Sequence, residues 1–372
     1  MRPASMVRWV DGLAYAAGMA LCMLGCAVAL QATNAVAATQ YPAVTAGYTL
    51  EFPRDHGAHP PYRTEWWYIT GWINAESDRP LGVQITFFRS RPGIGEANPS
   101  PFAPRQLLFA HVAIADPRAG KLLHDQRSAR VGLGLAGADT TTTNVWIDDW
   151  SLVLQNDRYR ARIEAKEFKL DLELSPAQPI LLQGEQGFSR KGPRPEQASY
   201  YYSRPHLKVD GRITLAGGPI DAKGVAWLDH EWSSEIMDDT AQGWDWVGLH
   251  FDDGGALMAF RMRRHDGSML WSAGARRDGD GKTQTIDPNT IAFEPRRHWR
   301  SARSGASYPV AMRIRAGGDV LDLEPLFDDQ ELDGRASVGA IYWEGAVRVM
   351  KNGRAIGRGY LELTGYAQRL RF

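Results

Sequence analysis

The chain has 372 residues, with 43 basic and 43 acidic side chains and a formal charge of zero. That balance leaves no cationic excess with which to grip nucleic acid. The composition carries aromatic mass instead: thirteen tryptophans and thirteen tyrosines, residues that fill cores or line pockets for large apolar or flat ligands.

The N-terminus reads as an export signal. Arg2 and Arg8 precede an apolar run at residues 13–30, and Asn34-Ala35-Val36-Ala37 offers the small residues of a signal-peptidase site. A cleaved signal peptide at 1–37 and a periplasmic or secreted protein are expected. The rival is an uncleaved anchor of about eighteen apolar residues; the small, moderately apolar side chains favour cleavage. Lipidation at Cys26 is disfavoured, because Met23-Leu24-Gly25 departs from the usual pattern. Cys22 and Cys26 are the chain's two cysteines. The mature chain then has no disulfide, and its stability must come from an apolar core.

After the signal, alternation dominates. Residues 66–72, 82–88, 107–114, 145–154 and 159–168 alternate apolar with polar, and Leu170-Asp171-Leu172-Glu173-Leu174 does so strictly. These are half-buried antiparallel strands, punctuated by turns such as Asp266-Gly267 and Asn352-Gly353. Strands at such short intervals suggest barrels or sandwiches. Residues 91–106 and 184–198 read as long loops, either lids over a mouth or plain surface connections. A weak repeat is visible. Trp67 and Gly71 lead to Phe88-Arg89, and Trp246 and Gly248 lead to Phe260-Arg261. Two related β domains follow, at 41–233 and 234–372.

Three aromatic segments are candidates for chemistry. In Asp229-His230-Glu231-Trp232, alternation sends Asp229 and Glu231 to one side and His230 and Trp232 to the other. Carboxyls in a tryptophan-lined site would be hard to ionise, as a general acid requires. The alternative is a structural knot in which these acids bind arginines such as Arg89 or Arg261. In Glu65-Trp66-Trp67-Tyr68, one face carries Trp66 and Tyr68, and the other Glu65 and Trp67. That segment lines a cavity or plugs a barrel through a tryptophan capped by arginine. Tyr200-Tyr201-Tyr202 lines a pocket or packs between domains. No histidine pair has helical metal spacing and no cysteine remains, so no metal site is expected. Nucleophile-elbow and phosphate-loop motifs are missing.

Eight ordered motifs together resemble one family. They include Thr64-Glu65-Trp66-Trp67-Tyr68, Phe109-Ala110-His111-Val112-Ala113, Trp227-Leu228-Asp229-His230-Glu231-Trp232, Gly243-Trp244-Asp245-Trp246, Tyr342-Trp343-Glu344-Gly345 and Tyr360-Leu361-Glu362-Leu363. The pattern is similar to the AttH-like proteins, secreted relatives of the carotenoid 1,2-hydratases. The resemblance implies an all-β fold of two tandem lipocalin-like (calycin) antiparallel barrels. It further implies a cofactor-free site: Asp229 or Asp245 as acid, with His230 and Trp232 nearby. Glu65, Trp66, Tyr68, Tyr201, Trp244 and Trp246 are the expected ligand contacts. The expected ligand is a lipid or isoprenoid, which the protein binds or, alternatively, hydrates at an isolated alkene. A third reading is an accessory of a membrane lipid-export system, with a transporter as partner.

Overall fold

The structure, a computed structural model, describes residues 39–75, 79–101 and 103–370; the expected signal peptide at 1–37, Cys26 included, lies outside the described residues. Every strand falls within one unit, residues 41–372. The first sheet comprises β1 (Thr64–Ala75), β2 (Arg79–Ser90), β3 (Leu107–Ala115), β4 (Leu122–Arg130), β5 (Ala136–Ala138), β6 (Asn144–Ile147), β7 (Trp150–Gln155), β8 (Arg158–Glu164), β9 (Lys169–Pro176), β10 (Leu181–Leu182), β11 (Phe188–Arg190), β12 (Ala198–Leu215) and β13 (Gly218–Glu235). The second comprises β14 (Ala241–Phe251), β15 (Ala256–Arg264), β16 (Met269–Arg277), β17 (Thr283–Ile286), β18 (Ala292–Arg300), β19 (Ser307–Ala316), β20 (Asp319–Pro325), β21 (Glu331–Gly334), β22 (Ala340–Lys351) and β23 (Arg354–Leu363). All pairings are antiparallel, and no α-helix occurs among the described residues.

The first sheet runs β4-β3-β2-β1-β13-β12-β9-β8-β7-β6-β5. Its ends approach one another, where Arg127 of β4 donates to the Ile147 carbonyl of β6 at 3.2 Å. The result is a nearly closed barrel. The second sheet runs β17-β16-β15-β14-β23-β22-β20-β19-β18 and curls around its own core, which holds Val247, Leu257, Phe293, Tyr308 and Trp343.

Strict alternation shapes the solvent-facing wall. Along β8 and β9 every second residue is buried: Tyr159, Ala161 and Ile163, then Leu170, Leu172 and Leu174, with charged residues between them outside. β1, β13 and β14 behave differently, because long stretches are buried on both faces. One face of each meets its own core and the other meets the opposite barrel. A third apolar cluster fills that seam, with Tyr68, Trp72, Tyr201, Trp227, Trp246 and Tyr360. The Trp72 indole N–H donates across it to the Gly359 carbonyl at 2.8 Å. Gly82 permits the approach: a Cβ there would lie 2.4 Å from the Tyr360 hydroxyl and 2.8 Å from the Ala346 Cβ.

The hairpins β1–β2 and β14–β15 match in detail. Glu65 lies opposite Arg89 and Trp66 opposite Phe88; Asp245 lies opposite Arg261 and Trp246 opposite Phe260. The register differs by one residue from the sequence reading, since Trp66, not Trp67, holds the place of Trp246.

Candidate functional site

Both hairpins point one carboxylate into their own barrel. Glu65 is fully buried and accepts hydrogen bonds from Arg89 Nε at 2.7 Å and from the backbone and Nδ1 of His59, each at 2.8 Å. His230 Nε2 adds a contact at 2.9 Å. Burial opposes its charge, yet Arg89 and His59 hold the carboxyl well below its ordinary range. His59 stacks on Trp232 with centroids 3.7 Å apart, and His230 stacks on Trp67 at 4.8 Å. Burial keeps His230 below its ordinary value, hence neutral. In the second barrel Asp245 is held by Arg261 Nε at 2.6 Å, Arg263 Nε at 3.0 Å and the Tyr366 hydroxyl at 3.0 Å.

These two groups are plugs. Three residues expected at the reactive site, His230, Trp232 and Asp245, and the expected ligand contact Glu65 are therefore inside the barrels, facing away from the seam. The arginine pairing expected of Asp229 and Glu231 belongs instead to Glu65 and Asp245. His59, Glu65 and His230 do bring three donor atoms within 4.8 Å of one another, a set that sequence spacing did not reveal. Its carboxylate is already saturated by hydrogen bonds, and the Arg89 guanidinium beside it opposes a cation.

The seam opens into a cavity of about 90 Å³. Trp66, Tyr68, Tyr201, Trp244 and Trp246, all expected contacts, line it, as do Phe88, Phe260 and Met262. Among these aromatic faces stand four carboxyls: Asp229 and Glu231 from β13, Glu344 from β22 and Glu362 from β23. Lys191, from the 184–198 segment, is the only cation among the described lining residues. Its Nζ lies 2.8 Å from Glu231 Oε1 and over the rings of Tyr201 and Phe260.

Asp229 accepts from Ser203 Oγ at 2.5 Å, from the Trp227 indole at 2.6 Å and from the Tyr201 hydroxyl at 2.6 Å. Burial pushes its carboxyl up to about 7, against the lowering effect of those three donors. Burial and the neighbouring acids Asp229 and Glu231 also lift Glu362, to about 8, although the Trp244 hydrogen bond pulls it down. Glu344 is raised by burial and by Glu362, and accepts from the Tyr68 hydroxyl of the other barrel. The cavity therefore keeps protons on buried carboxyls close to neutral pH, among aromatic faces.

Glu344, Glu362, Lys191 and Tyr342 were missed as site residues. The available signal was a lone glutamate in each of two otherwise uncharged stretches, residues 340–347 of β22 and 359–363 of β23.

Comparison with known proteins agrees with this architecture. The AttH-like family matches residues 43–366. The crystal structure of an AttH from Nitrosomonas europaea is 53% identical, with a TM-score of 0.82, and the match covers 87% of this chain and 99% of that one. Kievitone hydratase from Nectria haematococca superposes with a TM-score of 0.65 at 14% identity, over 89% of this chain and 97% of its own. CghA does so at 0.53 and 13%, over 87% and 96%. At those identities the likeness is one of fold. No curated protein matches. With a family match across nearly the whole strand-forming region and a half-identical relative of the same fold, the chain belongs to the AttH-like family.

Proposed function

We propose that the cavity between the barrels takes the alkene portion of an apolar, unsaturated ligand, a lipid or isoprenoid whose remainder extends out of the cavity, and that Asp229 protonates it in a cofactor-independent hydratase-type reaction. One observation carries this reading: Asp229 is a buried carboxyl, raised to about 7, in a cavity walled by tryptophan and tyrosine. A carboxyl at its ordinary value would be ionised at neutral pH and have no proton to give. Here about half of the molecules carry one at pH 7. Protonating an alkene leaves a carbocation, which the faces of Trp66, Trp244 and Trp246 would stabilise through their ring quadrupoles. Water then adds to the cation. A hydratase among the structural neighbours makes water addition the first chemistry to test.

Carriage without chemistry is the second reading, and the predominantly apolar wall favours it. The test is incubation of the mature protein with squalene or oleic acid in ¹⁸O-labelled water, followed by mass spectrometry of the products. Labelled alcohol from wild type, and a loss of at least about 100-fold in Asp229→Asn, supports the enzyme. Bound lipid that is extracted unchanged from both proteins supports carriage.

A further inference from the structure

We propose that Glu344 and Glu362 form a proton-sharing carboxyl pair that accepts the proton from the added water, on the cavity wall opposite the β13 wall that bears Asp229. The inference rests on the hydratase-type reading of this cavity and assigns its second half.

Geometry comes first. Glu344 and Glu362 are direct partners across the antiparallel pair β22–β23. Directly opposed residues that share a face have Cβ atoms about 5 Å apart, so the two carboxyl side chains are neighbours. Both line the cavity. Two like charges so placed, with no cation between them among the described residues, resist ionising together, so the pair loses its two protons in separate, coupled steps. Lys191, the cation of this cavity among the described residues, is engaged by Glu231.

The second observation concerns single atoms. Glu344 is 1% exposed. Its Oε1 accepts from Tyr68, whereas its Oε2 has no hydrogen-bond partner among the described residues. A buried carboxyl oxygen left open in a ligand cavity is where a water molecule or a ligand hydroxyl docks. The groups around the pair explain why its proton stays. Glu231 and Asp245, and Asp229 once it is ionised, raise Glu362 by their charge, while Tyr68 and Trp244 donate to the pair. Tyr342 and Tyr360 face Glu344 as neutral phenols.

The step balances. Asp229 gives its proton to one alkene carbon, and the π pair forms that C–H bond. A water oxygen attacks the other, cationic carbon. The oxonium loses a proton to the ionised member of the pair. Asp229 ends ionised and the pair doubly protonated, and one proton moved back through water resets both.

The test uses the protein labelled with ¹³C at the glutamate δ carbon, titrated by NMR, with Glu344→Gln and Glu362→Gln for assignment. A shared proton predicts that both resonances move in two common steps. Each variant should leave a single step, below the upper step of the wild type. Two independent one-step curves, unaltered by loss of the partner, would overturn the pair. Tyr68→Phe serves where a glutamine variant fails to fold: it should raise the lower step, and no change there would count against the pair. The chemical role is read with squalene in D₂O. Glu362→Gln should still put deuterium into the alkene through Asp229, while alcohol formation falls at least about 100-fold. Undiminished alcohol formation would overturn the role. If wild type exchanges no deuterium, the enzyme reading of the cavity fails, and the NMR curves still decide whether the proton is shared.

Discussion

Asp229→Asn should flatten a fall in stability that wild type shows as pH rises from about 4 to about 8. Asp229 is 3% exposed. Burial lifts its carboxyl from 3.8 to about 7 in the folded chain. The unfolded chain ionises near the ordinary value. Between those two points the folded chain holds a proton that the unfolded chain has lost, so rising pH favours unfolding. The stabilisation is complete below the ordinary carboxyl value and gone above about 7. At about 1.4 kcal/mol per pH unit, the interval is worth on the order of 4 kcal/mol. Asparagine has the shape of the neutral acid. Its amide oxygen takes the Ser203 and Trp227 bonds, and its amide nitrogen donates to Tyr201, so the variant keeps its fold. The other titratable groups are present in both proteins, so the difference between the two curves reports Asp229 together with its charge coupling to Glu362. Urea unfolding followed by tryptophan fluorescence, repeated from about pH 4 to about pH 9, measures it. The stability of wild type relative to the variant should fall by on the order of 4 kcal/mol over that range. Parallel curves would refute the assignment of a buried, neutral Asp229.

Three further outcomes follow from the same contacts. Tyr201→Phe removes a donor to the Asp229 carboxylate, so its pKa should rise by about one to two pH units, read by ¹³C NMR of labelled aspartate. Arg89→Ala strands Glu65 in the first barrel and should cost about 3–5 kcal/mol in urea unfolding, while the protein that stays folded still binds ligand in the seam. Asp245→Asn weakens the plug of the second barrel, so it should lower the unfolding midpoint yet leave turnover per folded molecule within about twofold, because Asp245 faces away from the cavity.

The legible part of the site was parity. Alternation separated Asp229 and Glu231 from His230 and Trp232, and the structure keeps that separation: the first pair lines the cavity and the second packs around Glu65. It likewise set Trp66 and Tyr68 apart from Glu65 and Trp67. Parity does not say which face of a strand buried on both sides meets the other barrel. The resemblance implies His230, Trp232 and Asp245 as site residues, and alternation alone has no means of showing that they face the barrel interiors behind the cavity. Glu344 and Glu362 come together only when β22 pairs with β23, and neither stands near Asp229 in the chain. Lys191 arrives from a loop, where no periodicity governs side-chain direction. The two-barrel fold was easier to read, because strict alternation in β8 and β9 encodes a wall with one wet and one dry face.

Binding of cis-parinaric acid to wild type and to Ile236→Trp, followed by energy transfer from tryptophan, decides whether the ligand sits between the barrels. Ile236 lies in the short connection between β13 and β14 and contributes to the cavity lining, so an indole there fills the cavity without disturbing either core. The variant should bind at least about 10-fold more weakly, a loss of about 1.4 kcal/mol, with an unchanged circular dichroism spectrum. Undiminished affinity in a folded variant would place the ligand elsewhere and contradict the role given to the seam.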